Sequence, residues 1–155
     1  MPSDHPQDYG AALMPPKLAA PVLREALNLG VFTANTTVVP APMLVFDRPA
    51  VIREIWFAAD AVPSDPDGTM LVNARVRDKS EGAYDTIVSS FDEEAQLTVA
   101  HEAKKATFAA EGAENELSVE AGDTLSFQLV NNSAAITTNP NTTAFVLYQV
   151  KESVD

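Results

Sequence analysis

The side chains able to do chemistry are few and scattered. The two histidines, His5 and His101, stand at opposite parts of the chain, and there is no cysteine. Neither a thiolate metal site nor a paired-histidine zinc site is therefore expected in the folded body. His101, in VAHEAKK, has no G-x-S-x-G nucleophile turn to serve, and beside Glu102 it reads as a surface residue. Glu93 and Glu94, in SFDEEAQ, are adjacent carboxylates. Neighbours on a strand point to opposite faces and cannot flank one glycosidic bond, so the pair reads as a solvated turn. Asp60, Asp65 and Asp67, in DAVPSDPDGT, are hard oxygen donors of the kind Ca²⁺ takes. Their spacing lacks the closing bidentate glutamate of a calcium loop, and Asp-Pro-Asp-Gly is already a reverse turn by proline and glycine geometry. In VEAGDTLSF, Gly122 permits a tight turn and Asp123 can accept backbone N–H bonds within it. No cofactor or catalytic residue is assigned, and the chain reads as non-enzymatic.

Composition narrows the partners. The 155 residues include 22 acids and 10 bases, a net charge of −12. Such a body repels phosphate backbones and anionic lipid, so neither nucleic acid nor membrane is an expected partner. No apolar run approaches membrane-spanning length. The N-terminus, MPSDHPQDYGAALMPP, lacks a basic start and an apolar stretch, so the product is expected to be soluble and unprocessed. Asn-x-Thr/Ser triplets at Asn35, Asn131 and Asn141 then read as turn chemistry rather than glycosylation sites.

Two regimes divide the chain. Residues 1–21 carry Pro2, Pro6, Pro15, Pro16 and Pro21, which predicts an extended arm of polyproline II character. In VLREALNLG, the residues Val22, Leu23, Ala26, Leu27 and Leu29 fall on one half of a helical wheel, with Pro21 and Gly30 at its ends. That pattern predicts a short helix over 22–29 whose stripe must pack on its own domain or on another chain. Residues 1–30 thus read as arm plus helix, and 31–155 as a separate strand-rich domain. From Gly30 onward the apolar period is two: TTVV, MLVF, VIREIWFAA, TMLVNARVR, TIVSS, QLTVA, KATFAA, ENELSVE, DTLSFQLV and TAFVLYQVK each suit a β-strand. The predicted class is all-β, a jelly-roll-like antiparallel β-sandwich with an N-terminal arm and one short helix. The last strand is apolar on both faces, through Ala144, Val146, Tyr148 and Val150 on one and Phe145 and Leu147 on the other. Trp56 and Phe57 are neighbours and must also face opposite ways. Trp56, Phe145 and Leu147 are therefore candidate subunit-interface residues.

The run DGTMLVNARVRD, the later IVSSFD, and LSVEAGDTLSFQLVNNSAA leading into an apolar final strand resemble head decoration (cement) proteins and related virion structural proteins of tailed bacteriophages, over about residues 31–150. The resemblance implies a non-enzymatic protein on the outer capsid surface, partnered by the major capsid protein and by itself as a homotrimer. The leader lies outside that span; its composition makes the apolar residues Tyr9, Leu13, Met14 and Leu18, with Val22, Leu23 and Leu27 after them, candidate contacts with the shell. The competing class is a carbohydrate- or receptor-binding jelly roll, for which Tyr84 in EGAYDT and the loop NNSAAITTNPNTT are the candidate polar site.

Overall fold

The computed structural model describes residues 20–40, 42–80, 82–109 and 117–152. Among them the chain forms β1 (Val22–Gly30), β2 (Thr37–Val38), β3 (Leu44–Val45), β4 (Ala50–Ala59), β5 (Met70–Arg77), β6 (Asp85–Thr86), β7 (Phe91–Asp92), β8 (Lys104–Lys105), β9 (Ser118–Val119), β10 (Thr124–Asn131) and β11 (Thr142–Val150). A helix, α1, spans Glu93–Gln96. One sheet has the order β1-β11-β4-β8, with β9 further along the β8 edge of β4. The other runs β2-β10-β5-β6, with β3 beside β10 and β7 beside β5. Pairs β2/β3, β6/β7 and β8/β9 each behave as one interrupted strand, which leaves eight strands in two antiparallel sheets joined by crossings between them. That is a jelly roll, the architecture that strand alternation predicted.

The long strands β4, β5 and β11 are placed by period-two burial. On β4, Ala50, Ile52, Ile55, Phe57 and Ala59 are buried, while Trp56 and Ala58 face the other way and are half-buried. Phe57 meets the second sheet directly: its ring lies 4.8 Å from that of Phe91 and 6.0 Å from that of Phe127. Met70, Val72 and Ala74 of β5 and Leu125 and Leu129 of β10 complete the core between the sheets. Phe46 packs edge-on against Tyr148 at 5.4 Å at one end.

Residues 22–29 are not a helix. They form β1, paired antiparallel with β11 from Val22↔Gln149 to Gly30↔Thr142. A helix this short has no stability of its own in water, whereas the open edge of β11 offers a full row of hydrogen-bonding partners. In period two, Leu23, Leu27 and Leu29 share the inner side, and Leu29 is buried at its inner end. Gly30 does adopt a left-handed backbone, φ 77°, but it closes a strand rather than a helix. β11 is thereby central, between β1 and β4.

A helix forms instead at 93–96, where Asp92 is the N-cap and its Oδ1 accepts from the Ala95 N–H at 3.2 Å. That cap takes the chain out of register for a strand at QLTVA, where Leu97 is buried and Val99 is 53% exposed. The turns follow their chemistry. The Gly68 N–H donates to the Asp65 carbonyl at 3.1 Å. Gly122 has φ 98°, and Asp123 accepts from the Lys79 and Glu120 N–H groups at 3.1 and 2.7 Å.

Candidate functional site

The residues singled out for chemistry are held apart or used for structure. His101 is exposed in a left-handed turn, and its N–H donates to the Ala59 carbonyl at 2.8 Å. The three aspartates do not converge. Asp60 caps the Asn141 N–H at 2.9 Å, Asp65 is buried and accepts from Asn131 Nδ2 at 2.6 Å, and Asp67 is exposed. Among the described residues no group of three potential metal ligands comes together. Asn131 is likewise spent inside the protein, while Asn35 sits in a left-handed turn at φ 51°.

Glu93 is a correction to the solvated-turn reading. Its side chain is fully buried, and Oε1 accepts from Thr142 Oγ1 at 2.6 Å, tying α1 to the first residue of β11. Oε2 has no partner. Burial, with a smaller contribution from the Asp92 charge, pushes its carboxyl up to about 7 against the opposing effect of the Thr142 bond. One buried, hydrogen-bonded acid is a structural tie; among the described residues no second titrating group is hydrogen-bonded to it to make an acid–base pair.

The outer faces of the two sheets differ. On the second sheet, Arg75 and Arg77 stand opposite Ser126 and Thr124 and near Gln128 on a polar face, with Ser126 itself buried. Their guanidinium carbons lie 4.4 and 5.5 Å from the centre of the Tyr84 ring, so the protein's own cations occupy the aromatic on which a sugar platform depended. The loop after β10 is also self-satisfied: Ser133 Oγ donates to the Ala135 carbonyl, and the Asn139 carboxamide brackets both backbone groups of Phe32.

The outer face of the first sheet carries an apolar patch among polar neighbours. Register places Ala26, Phe145 and Trp56 in one cross-strand row and Arg24, Leu147 and Glu54 in the next. Arg24, Glu54, Trp56, Phe145 and Leu147, together with Ala103, line an open groove of about 280 Å³. The Arg24 guanidinium lies 5.4 Å from the Phe145 ring centre. Glu54 accepts from the Trp56 indole N–H at 2.7 Å and faces Lys105 Nζ at 3.8 Å. Past Phe145 the depression continues as a second hollow of about 440 Å³, between Asn28, Ala58, Thr143, Asp60, Asn141 and His101. Trp56, Phe145 and Leu147 are thus one surface. Val22 and Leu23 are 53% and 40% exposed at the start of β1, and Leu27 packs against the core. Tyr9, Leu13, Met14 and Leu18 lie outside the described residues. Arg24 was missed because a helical wheel put it opposite the stripe; alternation along β1 would have set it beside Leu147.

No protein-family model and no curated protein matches the sequence. Comparison of folds does find similar structures. Two of them come from phage capsids. A chain in the cyanophage Pam1 capsid asymmetric unit aligns with a TM-score of 0.52 and 19% identity, over 97% of this chain and all of that one. A chain from the capsid of Ralstonia phage GP4 aligns at 0.50 with 17% identity, over 91% of each. At this identity what is shared is the fold.

Proposed function

We propose that this chain is a virion structural protein, a decoration protein that binds the outer surface of a phage head through the major capsid protein and stabilises the shell. The observation that carries the reading is coextension: the alignment covers the whole of a chain found in the Pam1 capsid and 97% of this one. The apolar patch of Trp56, Phe145 and Leu147 on the outer face of the first sheet supports it, because a protein that acts by contact needs surface rather than a reacting centre. In this reading Trp56, Phe145 and Leu147 meet a neighbouring copy, as in a trimer on the shell. The leader anchors Tyr9, Leu13, Met14 and Leu18, with the exposed Val22 and Leu23, meet the capsid. Repetition over many equivalent positions lets a modest contact hold.

The test is cosedimentation of the purified protein with undecorated heads of its phage, followed by mass per shell. Saturation at a multiple of the shell's symmetry positions, together with a rise in the temperature at which heads release DNA, is the expected result. Protein that stays in the supernatant at every concentration rules the reading out.

A further inference from the structure

We infer that the trough on the outer face of the first sheet is a docking site for the protein's own leader, residues 1–19, packed in cis. The trough is elongated: the groove at Trp56 and Leu147 and the hollow at Asp60 and His101 share Phe145 and run along the strands. From the Val22 row to the Asn28 row is six residues, about 20 Å. The apolar half lies towards the Val22 end, where the leader joins. The chain is already led onto this face there. Gln149, which alternates with Leu147 and Phe145, donates from Nε2 to the Ala20 carbonyl, and Arg53 holds its Oε1 at 2.9 Å.

Length and side chains suit the trough. The ten residues from Leu18 back to Tyr9 span about 30 Å when extended, enough to double back over all of it. Leu18, Met14 and Leu13 come first and match the apolar half; Tyr9 comes last and matches the polar end lined by Asn28, Asp60, Asn141 and His101. The leader is nearly uncharged, so it meets far less long-range repulsion from the acidic body than a second body of net charge −12 would. A second copy's leader would have to bring its whole acidic body alongside, whereas the cis leader is held at high effective concentration by its own attachment. The inference stands whether or not the protein decorates a shell. If it does, engagement of the leader by a capsid uncovers the Trp56 face for a neighbour.

The test uses the full chain, in which Trp56 is the single tryptophan and there is no native cysteine. A double substitution Leu13→Asp and Met14→Asp is expected to shift Trp56 emission to the red and to increase its quenching by acrylamide. A nitroxide on Leu13→Cys is expected to quench Trp56 to the same extent at every protein concentration. Unchanged emission in the double variant overturns the inference, as does nitroxide quenching that disappears on dilution, which would assign the trough to a second copy.

Discussion

At the scale of single residues, Glu93 is the strongest lever in the molecule. Folding takes its carboxyl from water into a site where one oxygen is bonded to Thr142 and the other has no partner, so the folded state favours the protonated form. Its value rises from 4.5 to about 7. Between those limits the native chain binds more protons than the unfolded one, so stability falls as pH rises. The contribution is fully present below about pH 4.5 and lost above about pH 7, with a size of order 3 kcal/mol at most. Urea unfolding at pH 5 and pH 8 should show this loss, and Glu93→Gln should flatten it; an equal slope in both proteins would mean that Glu93 is ionised when folded. Gly68 makes a second residue-scale case. A Cβ there would meet Ser133 Cβ at 2.4 Å, Asp65 Oδ2 at 2.8 Å and Asn132 Oδ1 at 2.9 Å, against the buried Asp65–Asn131 pair. Gly68→Ala should therefore cost about 1–3 kcal/mol in urea unfolding, where an ordinary exposed turn glycine would gain slightly.

At the scale of elements, β4 separates core from surface within two residues. Phe57 touches Phe91 and Phe127 between the sheets, and Trp56 faces outward. Phe57→Ala should cost about 3–5 kcal/mol of stability, while Trp56→Ala, despite removing a larger ring, should cost well under half of that. Comparable losses in thermal unfolding would mean that the outer face is as tightly packed as the core. This two-sided reading of β4 and β11 was available from sequence because alternation is local and both strands are long. The jelly-roll class followed from the same alternation, repeated between proline and glycine turns. β1 was not legible. VLREALNLG fits a helical wheel and a strand about equally, and the choice is made by the vacant edge of β11, more than a hundred residues away. Glu93 was hidden for a related reason: nothing in DEEAQ announces that Asp92 caps a helix or that Thr142 waits beside it. The groove was half legible, its three apolar members recognisable from strand parity and its Arg24 lost with the mistaken period.

At the scale of the whole molecule, charge and grease oppose each other. Two copies brought together on the Trp56 face bury Phe145 and Leu147 but set two bodies of net charge −12 side by side. Their repulsion acts across the screening length, about 10 Å at 0.1 M salt and about 3 Å at 1 M, whereas apolar burial is not weakened by salt. Association through this face must therefore strengthen as ionic strength rises, the reverse of contacts built on ion pairs. The full-length Leu13→Asp, Met14→Asp protein, with its leader displaced, should sediment faster in 0.5 M than in 0.02 M salt, at concentrations of order 10 μM. Adding Trp56→Asp should return it to the slow boundary at both salts. Association that weakens with salt would place the contact on charged surface elsewhere, and association indifferent to Trp56→Asp would remove this face from it. A shell that supplies fixed neighbouring positions offsets the repulsion without salt, so the same face should pair on a head under conditions where the free chains stay apart.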